Sequence, residues 1–368
     1  MLKRILPLIL TLTFLSSNIF AAGPKLKLNG KIDFRFIKMH HNAELLPKNK
    51  VTNMQPNMGF DSTVNVIADA SNKTDYGLTY GARVNLQTSA RNNRSTASHI
   101  YLTTKDYGKI ELGSDKTAAA KMKITSTSNA AATGGGWDAY VKSDPMNTKT
   151  EYIVSWAGFL DQKVRPGGKK NNAEYSRKIT YYTPEFSGWQ IGVSYIPDSD
   201  NRGYARPSSN DNTFSEEAKV HFVDALSMAV SYKKDINNDW GFRGAVAVEK
   251  ASEVVPLSVT TPPRAAGAAA VTTKYKLSTL NNYTVGAEVK YQNLSLATSY
   301  GNYMKSCTNE EYDVNGRSTQ IYGATVKYIL DKKLSVSLGG FKSKHKGNDF
   351  SSATLAADYK IASGILPY

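Results

Sequence analysis

The sequence predicts an all-β chain, an antiparallel up-and-down β-barrel that crosses a membrane with its strands. Three observations predict it. Apolar and polar side chains alternate along most segments, short and long connections alternate along the chain, and aromatic residues gather beside the short ones.

The alternation begins at Leu26. Leu26, Leu28, Ile32, Phe34 and Phe36 are interleaved with Lys27, Asn29, Lys31, Asp33 and Arg35. Successive strand side chains point to opposite faces, so one face is apolar and the other charged. The same period of two runs through 63–69, 78–87, 189–195, 226–233, 242–249, 283–291, 322–328 and 334–338. No long segment carries a 3.6-residue apolar period.

Short turns rich in Gly, Asn, Asp and Pro fall at 71–75, 106–108, 184–188, 235–239, 292–293, 330–333 and 360–364. Such residues suit tight hairpins. Between them lie longer polar connections at 40–56, 90–97, 198–216, 253–277, 304–317 and 344–349. In an up-and-down barrel, connections of one parity share a rim, and bacterial outer-membrane barrels keep their short turns on the periplasmic side. Tyr76, Tyr80, Trp189, Tyr232, Trp240, Tyr291, Tyr328 and Tyr359 lie within a few residues of the short turns, where an interfacial girdle would sit. Hairpins built on these turns give fourteen complete strands and the start of a fifteenth near Ile365. A closed bacterial barrel has an even count, so the reading expects about the last strand and a half to be absent.

Residues 1–22 read as an export leader: Lys3 and Arg4, a short apolar run over 5–15, then small residues to Ala22. That leaves 23–368 as one barrel domain. Only 40% of the 368 residues are apolar. This does not argue against a membrane barrel, whose lumen-facing residues dilute the apolar signal. The formal net charge is +15, with Lys and Arg spread along the chain in no dense basic run. No nucleic-acid partner is therefore expected, and a cation-lined cavity that favours anions is. The lone Cys307 excludes an internal disulfide and a cysteine zinc site. His40, His41, His99, His221 and His345 show no metal-ligand spacing, and there is no GxSxG elbow, P-loop or dinucleotide fingerprint. No enzyme activity, metal or cofactor is expected.

One connection breaks the rhythm. More than sixty residues separate the strand at 109–112 from that at 177–183, where structureless loops beyond about 15 residues are uncommon and usually functional or disordered. Its first half, 117–136, is rich in Ala, Ser, Thr and Gly, which suits close packing against a wall.

The stretch Ser98 to Gly113, SHIYLTTKDYGKIELG, resembles the strand–turn–strand that precedes the pore loop of the Gram-negative diffusion porins. Tyr182-Thr183-Pro184-Glu185-Phe186-Ser187-Gly188 resembles that family's turn after the loop. The resemblance implies a sixteen-stranded homotrimeric channel in the outer membrane, passing small polar solutes and ions. It also implies that the third long loop, about 116–171, folds into the lumen with acidic residues facing a basic wall. By position the loop acids are Asp138 and Asp144, and alternation offers Lys31, Arg35 and Arg83 as wall cations. Ser114 stands where the family often has a basic residue, and Lys116 is the candidate to supply that charge. Lumen-facing cations outnumber these acids, so weak anion preference is expected. The competing expectation is a surface adhesin or structural barrel working through its long outer loops.

Overall fold

The computed structural model describes residues 23–38, 58–89, 92–131, 176–199, 222–237, 239–254, 257–261, 271–275, 279–302, 304, 320–331, 333–345, 348–363 and 365–367. The leader at 1–22 lies outside them.

Fourteen antiparallel strands form one sheet. They are β1 (Lys25–Lys38), β2 (Met58–Lys73), β3 (Thr79–Ser89), β4 (Asn92–Thr104), β5 (Gly108–Ser114), β6 (Arg177–Tyr182), β7 (Trp189–Asp198), β8 (Phe222–Asp235), β9 (Trp240–Val254), β12 (Asn281–Tyr291), β13 (Leu294–Asn302), β14 (Gln320–Leu330), β15 (Leu334–His345) and β16 (Asn348–Tyr359). Two further strands, β10 (Leu257–Thr261) and β11 (Val271–Tyr275), pair only with each other. Every strand of the large sheet pairs with its sequence neighbour, β9 pairing directly with β12, so the meander is unbroken from β1 to β16. Those two strands form its edges. Beyond β16 the backbone reverses, with Tyr359 N donating to Pro367 O and a bridge between Ala362 and Ile365.

The sheet is apolar on the wrong side for a water-soluble protein. Ile32 is 78% exposed, whereas its neighbour Asp33 is 8% exposed. Leu28, Leu86, Ile191, Val246, Leu296 and Leu338 are likewise exposed. The buried positions of the opposite face hold Asp69, Thr180, Ser194, Ser227, Glu249, Thr325 and Ser337, together with alanines. Burial of apolar side chains is the main favourable term of folding in water, so this arrangement folds only where the outer solvent is itself apolar. Between β1 and β16, the antiparallel ladders of the meander satisfy the backbone there without water.

The turns behave as their residues demand. Ser187 and Gly188 both take positive φ, 49° and 88°, the geometry of the primed two-residue hairpin whose twist matches the strands it joins. Phe186 and Trp189 exchange backbone hydrogen bonds across it at 2.8 and 2.9 Å. On this rim the aromatics pack at a tilt across strands: Trp189 against Tyr232 at 4.6 Å between centroids, and Trp240 against Tyr291 at 4.5 Å. A second group lies at the other rim, where Tyr283, Tyr300 and Tyr322 stack at 6.0 and 5.1 Å. Phe60 packs there against Phe34 and Phe36. Tyr283 and Tyr291 are eight residues apart on β12. At about 3.4 Å per residue and a tilt of about 40°, that is roughly 21 Å of height, close to the apolar band of a bacterial barrel.

Two expected outer connections are shorter than the sequence suggested. β3 runs to Ser89 and β4 starts at Asn92, so most of the polar stretch 90–97 is strand. β15 and β16 likewise leave only 346–347 between them. Above the bilayer, water makes side-chain alternation unnecessary while ladder hydrogen bonds persist, so the period fades before the strand ends. The connection at 253–277 also contains the unexpected hairpin of β10 and β11. β3 and β4 shift register at Asn85/Leu86, a bulge of the kind that bends a strand locally.

Val246 lies mid-strand on the outer face. Val246→Arg is expected to lower stability by about 2–4 kcal/mol, the cost of a charge on the lipid face near the bilayer centre. Urea titration of the folded barrel in lipid vesicles measures this.

Candidate functional site

After β5 the chain leaves the wall and crosses the inner face of the sheet. Thr117 caps a single helical turn, α1 (Ala118–Met122), its hydroxyl accepting from Ala120 N. Thr125 caps a following 3-10 turn, Ser126–Asn129, by accepting from Ser128 N. Each turn is too short to be stable alone, and the wall holds both. Ala118 N donates to Ser194 Oγ on β7 at 2.8 Å, and Ala119 N to Ser227 Oγ on β8 at 3.2 Å. Ser126 N donates to Ser299 Oγ on β13 at 3.1 Å, and Ala131 N to Ser337 Oγ on β15 at 2.8 Å. Ser295 Oγ donates to Asn129 Oδ1 at 2.9 Å. Serines on four strands thus take up amides that a helix end or a turn would leave unpaired.

Small side chains make this approach possible. Ala119 packs with Ala229 and Ala247, with Met122 against them. A Cβ on Gly286 would collide with Ile124 O, and one on Gly192 with Met122 Sδ. The segment 117–131 therefore covers the inner face from β6 to β15 and leaves β1 to β4 uncovered.

The root of the loop is a charge cluster. Lys121 Nζ contacts Glu111 Oε2 at 2.5 Å and Asp115 Oδ2 at 2.8 Å. Lys109 Nζ lies 2.7 Å from Glu111 Oε1. His99 is inserted between the same carboxylates, Nδ1 at 3.5 Å from Asp115 and Nε2 at 3.9 Å from Glu111. Lys178 Nζ donates to the backbone oxygens of Asp115 and Ser176. Burial by itself would raise the Asp115 carboxyl, but the Lys121 ammonium and the Lys116 amide hold it below the usual carboxylate range. His99, Glu111 and Asp115 lie close enough to hold a cation. The Lys121 ammonium already occupies that position, so no metal is assigned. Below the cluster, toward the short turns, opens a cavity of about 580 Å³ lined by Arg83, Lys105, Lys109, Lys121, Glu111 and Tyr182 among others.

The structure places the expected residues as follows. Lys31 is exposed on the inner face of β1, opposite Asn65. Arg35 bonds Asp33 through Nε at 3.0 Å and Nη2 at 2.6 Å. Arg83 pairs with Asp69 at 2.8 Å, and Tyr101 donates to the same carboxylate. Lys116 is exposed on the linker. Asp138 and Asp144 lie outside the described residues. Lys27, Asp69, Arg83 and His99 form one cross-strand row. Arg35 is eight residues along β1 from Lys27, about 27 Å at strand rise, so it belongs to a different level of the lumen. Sequence reasoning missed Asp69, Tyr101, His99, Lys109, Glu111, Asp115 and Lys178 as site residues. Alternation in KIELG already put Lys109 and Glu111 inward, and that signal was sufficient for those two.

The sequence matches the family described as Gram-negative porin over residues 9–365. The chain belongs to the Gram-negative porin family. It is accordingly an outer-membrane β-barrel channel and not an enzyme. An uncharacterized protein of Rickettsia conorii is 31% identical over 94% of this porin and 84% of its own length. One of Rickettsia prowazekii is 29% identical over 97% and 87%. Among solved structures, the anion-selective porin from Comamonas acidovorans superposes with a TM-score of 0.54 at 13% identity, covering 92% of this chain and 85% of that one. Salmonella typhi OmpF, solved as a complex with daunomycin, gives 0.53 at 15% identity over 93% and 87%. At such identities the likeness is one of fold.

Ser227→Ala and Ser337→Ala are each expected to weaken loop docking by about 1 kcal/mol, the usual net worth of one hydrogen bond. Hydrogen exchange should quicken at Ala119 in the first variant and at Ala131 in the second. Gly286→Val is expected to lift the loop at Ile124 while the barrel stays folded. That would show as faster exchange across 118–131 with an unchanged folded band in electrophoresis.

Proposed function

We propose that this porin is a general diffusion channel for small hydrophilic solutes and ions, weakly anion-preferring and homotrimeric. Residues 1–22 would serve as its export leader and 23–368 as the barrel. The observation that carries the reading is the docked segment 117–131, which lies along the inner face from β6 to β15 and does not cover β1–β4, beside which the proposed water-filled path runs. Lys31 and Lys116 stand exposed along that path, and the Arg83 side chain is 45% exposed despite its pairing with Asp69. Such cations raise the local anion concentration. Asp138 and Asp144, farther along the same connection, are the acids proposed to face them. Opposed charges across a narrow aqueous gap orient dipolar solutes and disfavour apolar ones.

Planar-bilayer recording of the detergent-extracted protein is the test. Discrete conductance steps in groups of three are expected, with a reversal potential under a salt gradient on the anion side. Arg83→Glu and Lys31→Glu should each move it toward cations. Cation selectivity in the parent would overturn the anion preference. A folded, inserted barrel that passes no current would overturn the diffusion reading and favour an adhesin or structural role for the outer connections.

A further inference from the structure

His99 has an unusual position for a histidine in a channel wall. Its side chain is 2% exposed, and Nδ1 has no hydrogen-bond partner. Both ring nitrogens point toward carboxylates, Nδ1 toward Asp115 and Nε2 toward Glu111. A neutral imidazole carries one N–H, so one of its nitrogens must present a lone pair to a negative oxygen. An imidazolium would be attracted to both. Lys121 bonds the same two carboxylates and is the residue that ties α1 to the loop root.

We propose that His99 sets the charge of the lumen by competing with Lys121 for Asp115 Oδ2. In the neutral form Lys121 bridges the two carboxylates, sharing Glu111 with Lys109, and the ammonium is held against the wall. When His99 gains a proton it draws on Asp115 Oδ2, the oxygen it shares with Lys121, and Lys121 is loosened into the cavity it already lines. The path then carries an additional free cation, and its anion preference rises. His99 is a positioning residue here, acting through Lys121 on the permeating ions. The inference rests on the channel reading above.

The charged and titratable groups around His99 come from every element that packs on it. Arg83 is its register partner on β3, and the Tyr101 ring is 6.3 Å away on β4. Lys109 and Glu111 lie on β5, Asp115 on the linker and Lys121 on α1. Lys178 on β6 reaches Asp115 O. Arg83 and Lys178 have other acceptors in Asp69 and Ser176 O, whereas Lys109 holds Glu111 Oε1, the oxygen that His99 Nε2 faces. Lys121 depends on the two carboxylates that His99 also faces. Its side chain is 25% exposed, so it has an aqueous place to go.

The test is the reversal potential of the whole protein in a potassium chloride gradient, recorded from pH 7.5 down to pH 4.5. A single shift toward anion selectivity is expected in the parent and its loss in His99→Gln, with the folded band in electrophoresis unchanged. Because titration of the carboxylates would also favour anions, a shift that persists in His99→Gln overturns the proposal. A second measurement needs no variant. In protein labelled with ¹⁵N-histidine, the His99 imidazole should change protonation with the same midpoint as the selectivity. A His99 that keeps one protonation state throughout, or titrates at a different pH, overturns the proposal as well. Absence of current altogether would instead overturn the channel reading.

Discussion

Backbone hydrogen bonding in a solvent without partners governs this structure. Within a bilayer every peptide N–H and C=O must be satisfied inside the protein. The β1–β16 meander does so between its two edge strands by pairing each strand with the next. Once the ladder is imposed, the faces follow from the side-chain period of two. Leu28, Ile191 and Val246 meet lipid, while Asp69, Glu111 and Glu249 are confined to the inner face. The charge of the lumen is thus a by-product of strand geometry, and charged residues can be placed there without loss of membrane compatibility.

The same requirement explains the serines of the inner wall. A loop that enters the lumen brings amides with no strand partner, and single turns such as α1 leave most of theirs unsatisfied. Ser194, Ser227, Ser299 and Ser337 supply acceptors one residue at a time. Alanine and glycine between them keep the wall low enough for backbone to approach. Hydroxyls suit this task better than carboxylates, which would bury charge beneath the loop.

Much of the architecture was legible in the sequence because it depends on local period. The alternation from Leu26 to Arg35, the turns at 184–188 and 292–293, and the aromatics beside them all report on geometry within a few residues. Strand ends were less legible, since water above the membrane removes the pressure for alternation at 92–96. The site was legible only in part. Parity put Arg83, Lys109 and Glu111 inward, but that Lys121 bridges Glu111 and Asp115 depends on the loop turning back onto β5. That return is set by contacts with β7 and β8, more than seventy residues away in sequence. No spacing rule spans such a distance. The second aromatic group, Tyr283, Tyr300 and Tyr322, was hidden for a similar reason, being assembled from three strands.

The hydrogen bonds that hold the loop also imply an order of assembly. The bond from Ala118 spans 76 residues, that from Ser126 spans 173, and that from Ala131 spans 206. Each must wait until the strand bearing its serine has joined the sheet, and contacts of large sequence separation form late because their loop closure is costly in entropy. The nascent barrel therefore passes through a stage with an unobstructed bore. Docking of 117–131 then proceeds from β7 toward β15 as the wall is completed, and ends when Ser337 has found the amide of Ala131.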